Sequence, residues 1–244
     1  RLGEALIEQG LLQSLRECIV LIRSPRLWWF FVFASSAIVL NHIPYEFYQP
    51  YIGLLERGLP DLFETRTEAS SGDLSTLWTG LHLMAAQLLS AWVAGKSTRL
   101  SRKVGVHRYL LLSMGLQVVV IASMACFFHP VIAFILLLRG WPSALQNAPL
   151  REHITPYLPE RVSATYLSLQ SLTGRLCFGL TLLLLSHADQ LLSWLVDATW
   201  HLHDGKYNLA SQDTPLHHVL LVATLLSLSA LLLLGLLASV SKAQ

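Results

Sequence analysis

Two arginines sit inside otherwise apolar helical stretches. Arg139, Pro142, Ser143, Gln146 and Asn147 fall at i, i+3, i+4, i+7 and i+8, and Ser168, Ser171 and Arg175 at i, i+3 and i+7. Each set is one polar stripe on a helix. A guanidinium flanked by hydroxyls and amides is suited to hold an anion. His42 and Glu46 stand one helical turn apart, sharing a face with Ser35 and Gln49, while His82 shares one with Thr79 and Ser90. These three are candidate proton-coupling groups, because an unperturbed histidine titrates close to physiological pH. Five further histidines, His187, His201, His203, His217 and His218, flank or occupy one polar stretch, where His201-x-His203-Asp204 has the chemistry of a transition-metal site. The competing reading, solvated loop residues, leaves the chain with no metal. Cys18, Cys126 and Cys177 are an odd number without ligand spacing and imply no disulfide framework.

The elements that carry these groups follow from composition. Of 244 residues 53% are hydrophobic and 13% charged, and the mean hydropathy is +0.51. Soluble domains carry about a quarter charged residues, so the composition is that of a multi-spanning membrane protein. A net charge of +2 gives no nucleic-acid surface. A bilayer-crossing helix needs roughly 20 mostly apolar residues, and six stretches qualify, near 27–49, 75–94, 109–128, 130–148, 164–186 and 216–240. Ser24-Pro25 and Thr214-Pro215 read as N-cap followed by proline, Asp73 caps the second stretch and Pro130 opens the fourth. Residues 25–244 are therefore read as a six-helix bundle. Residues 1–24, with Leu2, Leu6, Leu12, Leu15, Ile19 and Ile22 among charged residues, read as an amphipathic cytoplasmic linker helix.

Orientation comes from Lys and Arg. The leader, the second-to-third and fourth-to-fifth connections and the tail hold twelve, and the opposite side holds three, Arg57, Arg66 and Lys206. The positive-inside rule then places both termini in the cytoplasm. From Leu110 to Phe128 in the third span and from Val219 to Val240 in the sixth the only ionisable group is Cys126, so these two are expected to face lipid while the other four line a polar cavity. Counting along the spans puts Arg139 and Arg175 near mid-membrane and Glu46 close to the outer surface, out of their reach. Their counter-charge would come from a substrate or from a part of the protein outside this chain.

Three stretches resemble the C-terminal six-helix half of the major facilitator superfamily of secondary transporters. Tyr48-Gln49-Pro50-Tyr51 is similar to the Gln-Pro pair closing the seventh helix of many bacterial members. Residues 94–105, Ala-Gly-Lys-Ser-Thr-Arg-Leu-Ser-Arg-Lys-Val-Gly, resemble the basic loop between the eighth and ninth helices, without its acidic residue. Pro159 to Arg175, with Ala164-Thr165-Tyr166-Leu167-Ser168, resembles the start of the eleventh helix, with Ser163 where the family usually has Arg. The resemblance covers nearly the whole chain. It implies two inverted three-helix repeats, an N-terminal six-helix half to complete the protein, and a substrate held between the halves. It also makes Gly95, Arg99, Arg102 and Gly105 a cytoplasmic gating loop.

The reading is thus an all-α membrane protein and a gradient-driven transporter of a small organic solute, the two arginines favouring an anion. Arg139, Ser143, Gln146, Asn147, Ser171 and Arg175 would line the pathway, and His42, Glu46 and His82 would couple a proton or other ion. No cofactor is implied. The location is a bacterial inner membrane. The competing classes are a membrane-embedded sensor or metal-binding module, and an intramembrane enzyme, for which no Gly-x-Ser-x-Gly elbow, His-Glu-x-x-His helix or paired mid-depth carboxylates exist.

Overall fold

A computed structural model describes residues 13–57, 71–126, 132–187 and 210–243, and every regular element among them is helical. In chain order these are α1 (13–22), α2 (Trp28–Arg57), α3 (Ser71–Val104), α4 (Val106–Cys126) and α5 (Ile132–Leu136). A 3-10 turn at Leu137–Gly140 leads into α6 (Trp141–Ile154), and a second at Thr155–Tyr157 precedes α7 (Glu160–Leu185) and α8 (Ala210–Ala243). Among the described residues three segments are long and apolar enough to cross a bilayer: Val106–Cys126, Glu160–Leu185 and His218–Ser239. The described residues are all-helical, as suits a membrane protein.

α2 and α3 run well past their predicted spans. With 30 residues α2 is about 45 Å long, and it passes through Pro44 and Pro50 to Arg57 instead of closing near residue 49. α3 continues to Val104 through most of the stretch read as a loop. Lys, Arg and Leu are good helix formers. The Ser97 and Ser101 hydroxyls donate to the Ala94 and Thr98 carbonyls at 2.7 and 3.0 Å, so even the turn-favouring serines are satisfied within the helix. The whole reversal falls on Gly105, whose φ of +90° only glycine adopts without strain. Its amide donates to the Ser101 carbonyl and its carbonyl accepts from Tyr109, ending one helix and starting the next.

The helices pack in three dominant pairs, α2 with α7, α3 with α6, and α4 with α8. At the first pair Gly174 lets α7 close on α2: a Cβ there would stand 2.7 Å from Ile38 Cδ1 and 2.8 Å from Ile38 Cβ. The main core runs from Trp29 and Phe33 on α2 through Leu110, Met114 and Ile121 on α4 to Tyr166 on α7. The Trp29 indole donates to the Leu234 carbonyl at 3.1 Å, fixing α2 to α8.

One expectation changes here. α4 touches α2, α3, α6 and α8 and is the most enclosed of the three apolar segments, 61% buried in protein against 11% for α7 and 22% for α8. The apolar run from Leu110 onward therefore reflects a protein core rather than a lipid-facing surface. Hydrocarbon and protein interior select the same side chains, so apolarity alone does not separate them.

Candidate functional site

The site is built around the break between α5 and α6. Pro142 has no amide to offer the Leu138 carbonyl at helical spacing, and the Trp141 amide takes that carbonyl instead, which is the 3-10 pattern. Arg139 lies on this tightened turn and is only 4% exposed. Its neighbour Gly140 leaves room for Ser90 of α3, whose hydroxyl fills the space a Cβ would need. The proline and the glycine therefore hold the Arg139 backbone against α3.

The guanidinium carbon stands 4.1 Å from the centre of the Tyr48 ring and 4.7 Å from that of Tyr45, one helical turn apart on α2. Aromatic faces attract a cation through their quadrupole and do so more strongly when it is desolvated. Among the described residues no carboxylate is within ion-pairing distance of Arg139. Two tyrosine rings thus supply the attraction that an acid would otherwise give, and no described carboxylate neutralises the charge.

Tyr48 also reaches α3. Its hydroxyl lies 2.7 Å from His82 Nδ1, and His82 Nε2 lies 2.8 Å from the Ala133 carbonyl of α5. A carbonyl only accepts, so Nε2 carries a proton. In neutral His82 Nδ1 is then an acceptor and the Tyr48 hydroxyl donates to it. The Tyr45 hydroxyl accepts from Gln87 Nε2 at 3.4 Å. Arg139, Tyr45, Tyr48, His82 and Gln87 form one network joining α2, α3 and the break.

The remaining candidates divide. Gln146 is buried on α6 and accepts from Asn41 of α2 at 3.3 Å, while the second amide oxygen, Asn41 Oδ1, is buried without a partner. The Ser143 hydroxyl donates to the Gly140 carbonyl at 3.0 Å and so serves the break itself. Asn147 and Arg175 are exposed, and Ser171 is half-buried beside Gly174. His42 and Glu46 do not pair: His42 Nδ1 donates to the Ile38 carbonyl at 2.7 Å, and its ring packs on Phe178 of α7 at 5.2 Å. Glu46 points outward. His201, His203 and Asp204 lie outside the described residues.

The stretch at 95–105 also acquires a partner. Arg102 forms an ion pair with Glu152 of α6, both side chains largely exposed, while Arg99 stays exposed and Gly95 sits within α3. The basic stretch is thus paired with an acid of another helix. Exposed pairs of this kind contribute about 0–1 kcal/mol.

Tyr45 lies 4.7 Å from the Arg139 guanidinium, while its neighbour Glu46 is exposed and forms no ion pair with that arginine. α2 runs on to Arg57. Neither Tyr45 nor Tyr48 is among the candidate site residues read from the sequence. Their i, i+3 spacing was the available sign that both could turn one face toward a neighbouring helix. No family model, curated protein or solved structure matches this chain.

Proposed function

We propose that the chain is part of a gradient-driven transporter of the major facilitator type, moving a small organic anion between two six-helix halves by alternating access. The observation that carries this reading is Arg139, buried, held by tyrosine faces and facing no carboxylate among the described residues, at a helix break. Discontinuous helices are where transporters commonly bind substrates and coupling ions. An anion entering beside Arg139 would meet a full positive charge without having to displace an acid. His82 is the proton-coupling group, linked to that charge through Tyr48.

The packing supports two three-helix repeats within a six-helix bundle. Numbering α2, α3 and α4 as one, two and three, the α5–α6 path as four, α7 as five and α8 as six, the dominant pairs are one–five, two–four and three–six. Exchanging each helix with the one three places later returns the same three pairs. An inverted repeat has this property. In the proposed orientation the Gly105 end and both termini are cytoplasmic, in a bacterial inner membrane.

Side-specific labelling tests alternating access. Asn147→Cys, with the exposed Cys126 and Cys177 replaced by Ser, is treated with an impermeant thiol reagent from either side of oriented vesicles. Access that moves from one side to the other when substrate or a pH gradient is added supports the reading. Access from one side under every condition overturns it.

A further inference from the structure

α1 has two different faces, and one of them packs against the other described helices. Cys18 is fully buried, its thiol 3.7 Å from the Val162 carbonyl of α7, and Glu17 forms an ion pair with Arg161 at 2.8 Å. Leu21 and Ile22 pack against the main core. The opposite face is Arg16, Ile19 and Val20, continued by Arg23 just past the helix end, whose amide still donates to the Ile19 carbonyl at 3.1 Å; all four are exposed, with Ile19 at 46% and Val20 at 66%. Its composition is two apolar side chains between two cations. The nearest carboxylate in the helix, Glu17, is already engaged by Arg161.

Position limits what this face can meet. α1 ends six residues before α2 begins, through a tight turn in which the Ser24 carbonyl accepts from Leu27 and Trp28, both at 3.1 Å. It docks on the first turn of α7, a segment apolar enough to cross the bilayer. α1 therefore lies at the end of a bilayer-crossing helix, at headgroup level.

We infer that the Arg16–Ile19–Val20–Arg23 face of α1 is a binding surface for anionic phospholipid headgroups in the adjoining leaflet. Ile19 and Val20 enter the acyl boundary and the two arginines take the phosphates. A helix with one apolar and one cationic component lies in the interface in this way, and arginine suits phosphate because its donors form a fixed fork. Charge complementarity selects the occupant: a zwitterionic surface would satisfy the apolar pair but not the cations. This inference rests on the membrane-spanning helices and holds whether or not the chain transports a solute.

The test places a fluorophore on Val20→Cys in the Cys126→Ser, Cys177→Ser background. Cys18 is left in place, since burial, reinforced by Glu17, pushes its thiol pKa up and keeps it protonated and unreactive. The full-length protein is reconstituted in phosphatidylcholine vesicles containing trace spin-labelled phosphatidylglycerol or spin-labelled phosphatidylcholine, and quenching gives their relative association constant. Preference for phosphatidylglycerol is expected, weakened by salt, falling roughly fivefold for each arginine changed to Gln, and retained in Arg16→Lys/Arg23→Lys. Unchanged melting of the Gln variants shows that the docking through Cys18 and Glu17 survives. Should they fail to fold, the salt titration of the otherwise unaltered protein decides, and salt-insensitive preference overturns the inference. Equal quenching by both lipids overturns headgroup recognition. Quenching by aqueous iodide and by neither lipid, or by none of the three, means that water or protein covers the face, and also overturns it.

Discussion

Tyr48 and His82 are joined at 2.7 Å across α2 and α3, and the same tyrosine ring carries the Arg139 guanidinium at 4.1 Å. One side chain thus serves two functions that substitutions can separate. Tyr48→Phe removes the hydroxyl but keeps the ring, and should cost about 1 kcal/mol of stability. Tyr48→Ala removes the ring as well, uncovers Arg139 and should cost about 3 kcal/mol or more. Melting of the purified protein in detergent checks both; equal losses would show that the ring contributes nothing at Arg139.

The α2–α7 contact predicts a second pair of variants. Gly174→Ala gains up to about 1 kcal/mol of helix propensity, yet its new methyl would meet Ile38 Cβ, which cannot rotate away. Forcing packed helices apart costs about 1–3 kcal/mol, so the net effect should be destabilising. Ile38→Ala in the same chain should recover part of the loss. A double-mutant cycle with no coupling between the two positions would contradict the close approach.

Gly105 predicts a purely conformational cost. A Cβ at this position meets nothing within 4 Å, but φ is +90°. Gly105→Ala should lower stability by about 1–2 kcal/mol, and Gly105→Asn by less, because Asn tolerates positive φ better. Thermal melting of the two variants gives the ranking. Ala melting at or above the parent would mean that the turn has another geometry.

At the Gly105 end of the bundle, His153 lies against Phe30 with ring centres 4.5 Å apart, near Tyr157 at 6.0 Å and His107 at 6.4 Å, with Arg26 over the far tyrosine. Burial lowers its pKa below the ordinary histidine value. The unfolded chain therefore binds this proton more readily than the folded one. Stability should be full above a pH of about 6.5, decline as pH falls through that unfolded value, and level off below the folded pKa. His153→Phe should flatten this slope. Melting curves for parent and variant between neutral and mildly acid pH check it; the same slope in both would remove His153 as its source.

The helical class of the described residues and the apolar character of α4, α7 and α8 are legible because both are written in local periodicity. The stripe from Arg139 to Asn147 is divided by the 3-10 turn, with Gln146 buried and Asn147 exposed. What escaped notice depended on contacts between distant residues. Tyr45 and Tyr48 are named as partners of Arg139 only when α2 meets the α5–α6 break, and Glu152 becomes the acid for Arg102 across 50 residues of sequence. The loop at 95–105 was misjudged for a local reason: Gly95 and three Ser or Thr residues suggest a turn, but the helix formers around them outweigh that over the full window. The enclosure of α4 was illegible in principle, since lipid and protein favour the same residues.

The most direct test of the central claim is solute uptake by proteoliposomes of the full-length protein, using a panel of anionic, neutral and cationic organic solutes with and without an imposed pH gradient. The parent, Arg139→Ala and Arg139→Lys are compared, with melting measured alongside. Gradient-dependent uptake of an anion, abolished in the Ala variant at unchanged fold and partly kept in the Lys variant, is the predicted result. Uptake only of neutral or cationic solutes, with Arg139→Ala lowering melting and leaving the transport of folded protein unchanged, would contradict it and make Arg139 a structural tie between α2 and the break.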